Sequence, residues 1–163
     1  MKLLVTAAFG ADEEDLKALE ERGHEVFYIG DERGRLPDAA EDVEGIVCNS
    51  LFLYHEIGRF PKLKLLLGHM GGTYQGCMSS IELAKQYENV YLDINGSLYS
   101  QIWIEELAKF APHEKLIFST DQAFNDPRII VGRVLLSDLD DALKRRILCE
   151  NFEAAIDRTL LPA

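Results

Sequence analysis

Six short apolar runs, separated by segments with helical spacing, constrain the fold of this 163-residue chain more than any other feature. A compact apolar run such as residues 2–7 is typical of a strand that is covered on both faces. Strands that alternate with helices form βαβ units and therefore a parallel sheet. The predicted strands are residues 2–7, 24–29, 45–49, 63–68, 90–94 and 115–119.

The spacing of apolar residues predicts helices between these strands. Gly23 is expected to end the first helix in a left-handed conformation, and Ser137 is expected to begin another by capping its first turn. The predicted helices are residues 12–22, 75–87, 100–110, 126–135, 137–150 and 151–160, with a short helix or turn at 38–43.

The length of the chain selects among parallel-sheet architectures. A closed eight-stranded barrel usually needs about 200 residues or more, so an open sheet is favoured. We predict an α/β fold with a three-layer, flavodoxin-like open parallel sheet and helices on both faces. The expected strand order is 2-1-3-4-5, with the sixth strand added beyond the fifth. All of residues 1–163 are predicted to form one domain.

Charge and hydropathy restrict the partners. The formal net charge is −11, and nucleic-acid binding requires a basic surface, so nucleic acid is not expected as a partner. The sequence contains no apolar run near the roughly 18 residues of a membrane span, so no membrane partner is expected either. The amino terminus, MKLLVTAAFG, has the pattern of a strand and not of a secretory signal, which favours a cytoplasmic location.

Residues 1–66 resemble the amino-terminal, flavodoxin-like substrate domain of D-2-hydroxyacid dehydrogenases. The resemblance lies in the order of the phrases MKLLVT, ERGHEV, EDVEGIVCN and LFLYHEIGRFPKLKLL. That family binds its nucleotide through a GxGxxG fingerprint, which the sequence lacks. The glycines of residues 68–76 have a different spacing and are expected to serve backbone geometry; a phosphate cradle is the alternative.

Residues 61–163 resemble the carboxy-terminal part of the metal-dependent amidohydrolases, in the decarboxylase-like branch with distorted barrels. The phrases LGHMGG, NVYLDINGS, KLIFSTDQAF and LSDLDDALKRRILCENFEAAI occur in the family's order. The resemblance implies that His69 binds or orients the attacking water or the substrate, and that Asp121 is a metal ligand or proton acceptor. The family's serine before this aspartate is displaced to Ser119 or replaced by Thr120.

The two resemblances meet within residues 60–72, the sequence FPKLKLLLGHMGG, which we call the seam. The amidohydrolase HxH motif and the histidine of the family's fifth strand are absent, whereas a catalytic zinc usually has three protein ligands. The simpler interpretation is that His69 and Asp121 are vestigial catalytic residues that no longer act in a reaction. The alternative is a reduced zinc or other divalent metal site formed by His69, Asp121 and Asp93, since all three follow or end neighbouring strands.

The leading hypothesis from the sequence is a fold chimera, a scaffold without autonomous catalytic activity and without a cofactor. One alternative is a reduced metal-dependent hydrolase or decarboxylase of amidohydrolase type. Another is a small-ligand-binding remnant of the hydroxyacid dehydrogenase cleft. Phe52, Leu53 and Tyr54 are predicted to form an exposed apolar patch through which the chain forms a homo-oligomer.

Overall fold

The chain divides into two compact units in a computed structural model, one from Met1 to Leu63 and one from Lys64 to Ala163. The structure describes residues 2–6, 12–29, 42–43, 45–47, 58, 60–61, 63–96, 101–122 and 124–155. The boundary between the units lies inside the seam. The short helix or turn predicted at 38–43 lies outside the described residues except for 42–43. The predicted apolar patch at 52–54 and the end of the last predicted helix, residues 156–160, lie entirely outside them.

The amino-terminal unit contains a parallel three-stranded sheet with the order β2-β1-β3. Its strands are β1 (Lys2–Thr6), β2 (Glu25–Ile29) and β3 (Gly45–Val47). Leu3 lies opposite Val26 on one side and Gly45 on the other, and the apolar side chains of β1 at residues 3–5 are buried. The sheet is therefore built on β1, as its uninterrupted apolar sequence predicts.

Helix α1 (Glu13–Glu21) lies between β1 and β2 in the sequence, with a capping residue before its first turn and a glycine just after its end. The Asp12 carboxylate accepts a hydrogen bond from the Asp15 amide at 3.0 Å, and the Asp15 carboxylate in turn accepts one from the Asp12 amide at 3.3 Å. This reciprocal capping box satisfies two amides of the first turn. Gly23 follows the helix with a φ of 85°, which confirms the predicted left-handed ending.

The carboxy-terminal unit contains a second parallel sheet, with the order β4-β5-β6. Its strands are β4 (Leu65–Leu67), β5 (Val90–Asp93) and β6 (Leu116–Ile117). Leu65 pairs with Val90, and Leu92 pairs with Leu116. The helices of this unit are α2 (Tyr74–Gln86), α3 (Gln101–Ala108), α4 (Pro127–Leu135), α5 (Asp141–Arg145) and α6 (Asn151–Ala155).

The start of α5 differs from the prediction. Asp140 caps the helix by accepting from the Leu143 amide at 2.8 Å, whereas the Ser137 hydroxyl donates back to the Val134 carbonyl at 2.7 Å. Ser137 therefore completes the end of α4 instead of beginning α5. A π-helical turn at Arg146–Glu150 then joins α5 to α6, so the predicted boundary between two helices at residues 150 and 151 is not a break in the described structure.

The prediction of one continuous six-stranded, flavodoxin-like sheet is wrong. The structure has parallel strands and intervening helices, but the described strands form two three-stranded sheets. The sequence expected β3 beside β4, and this pair is missing among the described residues. Each of these strands spans only three residues, and Leu66 in β4 is 45% exposed, so β4 is not the two-sided buried strand that its sequence suggests.

Within the described part of the chain, no helix is both long enough and apolar enough to cross a membrane.

Candidate functional site

The polar residues of the carboxy-terminal unit gather where its three strands end. His69 follows β4, Asp93 ends β5 with Asn95 two residues later, and Ser119 and Asp121 follow β6. Because β4, β5 and β6 are parallel, their carboxyl ends lie at one edge of the sheet, where ligands bind in open α/β sheets. The fold therefore brings together His69, Asp93 and Asp121, the residues that the sequence singled out.

A tight turn after β4 presents the His69 side chain. His69 and Met70 both have positive φ, at 55° and 46°, a conformation that non-glycine residues seldom adopt. Met70 is fully buried beneath the turn, whereas the His69 side chain is 48% exposed. The buried methionine thus anchors a strained turn whose histidine faces outward.

Glycines make this turn possible. Gly71 and Gly72 have φ values of 91° and 74°, and a methyl group added at Gly76 would lie 2.3 Å from the Gly71 carbonyl oxygen. Helix α2 therefore begins directly against the backbone of the turn, with Thr73 as its cap. These glycines have the geometric role that the sequence predicted.

A second strained turn presents Asp121. Its φ is 52°, and its carbonyl oxygen accepts hydrogen bonds from the amides of Phe124 at 2.9 Å and Asn125 at 3.0 Å. The Asn125 side-chain amide also donates to the Asp121 carboxylate at 2.7 Å. The carboxylate is therefore oriented by its own loop.

His69 and Asp121 form a pair across the strand ends. Nε2 of His69 lies 3.6 Å from Oδ1 of Asp121, and the Asp121 side chain is only 20% exposed. This distance is longer than a hydrogen bond but within the range of an ion pair. Histidine and aspartate are among the residue types that carry out general acid–base catalysis.

Asp93 lies deeper, at 5% exposure, and its two oxygens are both engaged. The Ser119 hydroxyl donates to Oδ2 at 2.8 Å, and the Asn95 amide donates to Oδ1 at 3.0 Å. Burial raises the pKa of Asp93 above its ordinary value, and the hydrogen bonds from Ser119 and Asn95 partly counteract this increase, as does the nearby His69. The Asp93 carboxylate is thus a buried acceptor inside the site.

Asn95 connects this buried carboxylate to the exposed pair. Its Nδ2 donates to the Ser119 hydroxyl at 2.7 Å, and its Oδ1 accepts from the backbone amide of His69 at 3.2 Å. Asn95 is itself 7% exposed. The three strand ends are consequently joined by side-chain hydrogen bonds.

The comparisons with known proteins identify the family. The sequence profile described as amidohydrolase matches residues 37–155, which is more than half of the chain. The chain therefore belongs to the amidohydrolase family. Residues 1–36 lie outside this match, which overlaps residues 37–66 of the segment that resembles hydroxyacid dehydrogenases. That second resemblance stays a prediction.

A solved structure described as an amidohydrolase II is 16% identical to this chain, with a TM-score of 0.47. The superposition covers 93% of this chain and 60% of that protein, so the chain spans about 60% of the length of that structure. No curated protein matches the chain.

The described residues do not fit a resident metal ion. A catalytic zinc usually has three protein ligands, and no group of three His, Cys, Asp or Glu side chains in the described ranges is arranged to hold one. Asp93, the third predicted ligand, already accepts hydrogen bonds at both oxygens. Proton transfer at this site therefore rests on the His69–Asp121 pair.

Sequence reasoning missed three members of the site: Asn95, Ser119 as a donor to Asp93, and Asn125. The phrases NVYLDINGS and STDQAFN contain all three. The available signal was their position just past β5 and β6, since polar residues there share one edge of a parallel sheet. Which of them bond to each other depends on the turns, and the sequence does not display the turn conformations.

Proposed function

We propose that this chain acts as an amidohydrolase-type hydrolase or decarboxylase in which His69 and Asp121 carry out proton transfer. The observation that carries the proposal is their 3.6 Å approach at the carboxyl edge of the sheet, in a chain that belongs to the amidohydrolase family. The imidazole takes a proton from water or substrate while the carboxylate beside it stabilises the imidazolium. In structures without substrate, such pairs are often longer than a hydrogen bond.

His69 and Asp121 have different roles because their side chains differ in exposure. The half-exposed His69 ring is accessible to a substrate, whereas Asp121 is more buried and is held by Asn125. Because its carboxylate orientation is fixed before substrate binds, little reorganisation is needed when charge develops on the ring. Asp93 stays out of the proton transfer, since both of its oxygens accept hydrogen bonds from within the site.

The test is turnover of activated esters, anilides and aromatic carboxylic acids, followed by chromophore or carbon dioxide release. General acid–base residues typically contribute 10²–10⁴-fold, so His69→Ala and Asp121→Asn are each expected to lower kcat/KM by about 100-fold or more. Asp138→Asn, an exposed aspartate of the same unit, is the matched control and is expected to leave the rate unchanged. Equal rates in all three variants would contradict the assigned roles.

A scaffold without autonomous activity is the second candidate. The observation that favours it is the donor set, which offers two candidate ligands at the site where a hydrolytic metal usually has three. The scaffold hypothesis expects no turnover of any substrate above that of buffer. A calorimetric zinc titration tests for a metal. Stoichiometric zinc binding that disappears in His69→Ala would favour a metal-dependent enzyme. It would count against both the scaffold hypothesis and proton transfer by His69 and Asp121 without a metal.

A further inference from the structure

A hydrogen-bond chain crosses the three strand ends and reaches the backbone of His69. Ser119 donates to Asp93 at 2.8 Å, Asn95 donates to Ser119 at 2.7 Å, and Asn95 accepts from the His69 amide at 3.2 Å. The first two contacts join the ends of β5 and β6, and the third joins the ends of β5 and β4. This series of hydrogen bonds therefore connects the buried Asp93 carboxylate to the turn that carries the exposed His69.

When Asp93 is ionised, chemistry fixes which group donates at each step of this hydrogen-bond network. An ionised Asp93 can only accept hydrogen bonds, so the Ser119 hydroxyl must donate its single proton to that carboxylate. Ser119 then has only lone pairs to offer, and Asn95 must turn its NH₂ group toward them. The carbonyl oxygen of Asn95 consequently faces the His69 amide, in the only orientation that satisfies every group.

The His69 turn needs such a restraint. A non-glycine residue in the left-handed region usually costs about 1–3 kcal/mol and persists only where its surroundings hold it. Two consecutive residues, His69 and Met70, occupy that region. Met70 is held by burial, and the His69 backbone is held by two hydrogen bonds: its amide donates to Asn95 at 3.2 Å, and its carbonyl accepts from the Gly72 amide at 2.8 Å. The contact to Asn95 ties the histidine end of the turn to the end of β5.

We propose that Asn95 is a positioning residue that fixes the His69 turn, and thereby the place of the imidazole beside Asp121, through its bonds to Ser119 and the His69 amide. The proposal rests on the proposed function of the His69–Asp121 pair, which gives that placement a purpose. Asn95 acts through His69 and does not itself touch the reacting atoms.

The test uses nuclear magnetic resonance of the full chain and requires no turnover. Asn95→Ala removes the acceptor of the His69 amide, so exchange of that amide proton is expected to accelerate about tenfold, the effect of losing one hydrogen bond. The imidazole signals of His69 are expected to shift, because the ring leaves its fixed position near Asp121. The ring signals of His113 are expected to stay in place, which makes them an internal reference.

Asn151→Ala is the matched control. Asn151 is also a buried asparagine, and its Nδ2 donates to the carbonyls of His113 at 2.6 Å and Leu116 at 2.8 Å. Its removal is expected to lower the unfolding temperature and leave the His69 signals unchanged. If Asn95→Ala lowered the unfolding temperature without moving the His69 amide or ring signals, Asn95 would be purely structural. That result would overturn the proposal.

Ser119→Ala provides a second variant should Asn95→Ala fail to fold. It leaves Asn95 in place but removes the partner that orients its amide group, so a smaller shift of the same His69 signals is expected; unchanged signals would overturn the proposal. These outcomes are separable from the proposed function. A wild-type chain without turnover contradicts the catalytic proposal, whereas the positioning of His69 is decided by the resonance data.

Discussion

Asp93 holds its carboxylate where water hardly reaches, between a serine hydroxyl and a backbone amide. Two donors stabilise the ionised form, but burial outweighs them, and the pKa of Asp93 is raised. In the unfolded chain the same carboxyl would be hydrated and would titrate at its ordinary value. Its ionisation is therefore linked to folding.

The sign of this linkage gives a pH prediction. Between the ordinary aspartate pKa and the raised pKa of Asp93, the folded chain binds more protons than the unfolded chain, so the stability contributed by Asp93 falls as pH rises. The free energy of unfolding, measured with urea across this window, is expected to fall with pH more steeply in wild type than in Asp93→Asn.

Asp126 is the control, because its pKa is shifted in the opposite direction to that of Asp93. Its pKa is lowered by hydrogen bonds from Arg128, so its contribution is present above the ordinary aspartate pKa and is lost as pH falls through the lowered value. Asp126→Asn is therefore expected to leave the fall of stability with rising pH intact. Parallel pH profiles for wild type and Asp93→Asn would show that the carboxyl does not titrate differently on folding.

The elements of the site show what sequence can predict and what it cannot. The apolar runs predict all three strands of the carboxy-terminal sheet, and the strand ends place His69, Asp93 and Asp121 at one edge. Four of the five predicted strand neighbours are found, namely β2–β1, β1–β3, β4–β5 and β5–β6. The fifth, β3–β4, is missing from the described residues, because periodicity specifies the faces of a strand and not its neighbour.

Helix α2 and the His69 turn are coupled by two glycines, which gives a paired prediction. Alanine normally favours a helix over glycine by about 1 kcal/mol, but at Gly76 the added methyl would lie 2.3 Å from the Gly71 carbonyl oxygen. Gly76→Ala is therefore expected to lower the free energy of unfolding by about 1–3 kcal/mol, as overpacking does, and to displace the His69 turn.

Gly132 in α4 is the matched control, since a methyl group there meets no atom within 4 Å. Gly132→Ala is expected to raise the free energy of unfolding by about 0.5–1 kcal/mol. Urea denaturation measures both changes, and the His69 ring signals report the turn. If the two alanine variants behaved alike, the close approach between α2 and the turn would not be what requires a glycine at position 76.

At the scale of the molecule, the seam predicted from two family resemblances coincides with the boundary between the compact units at Leu63 and Lys64. The amidohydrolase match crosses this boundary, since it begins at residue 37. The continuous sheet expected across the seam was wrong. The single domain of residues 1–163 stays a prediction, as does self-association through Phe52, Leu53 and Tyr54.

The division predicts that residues 64–163 fold without the rest of the chain. This unit has its own parallel sheet, and the complete hydrogen-bond chain from Asp93 to His69 lies within it. Its interior has large side chains under 2% exposed from both strands and helices, including Ile81, Leu92, Ile130 and Ile147. About 100 residues are enough to enclose such a core.

The fragment 64–163 is expected to unfold in one cooperative transition and to keep the His69 and Asn95 signals of the full chain. The fragment 1–63 is the contrasting case. Its described helix α1 has no buried residue and therefore adds little apolar cover to the sheet, so this fragment is expected to be less stable alone than 64–163. A carboxy-terminal fragment without cooperative unfolding would mean that the site depends on the amino-terminal unit. In that case, the two family resemblances would describe parts of one inseparable fold.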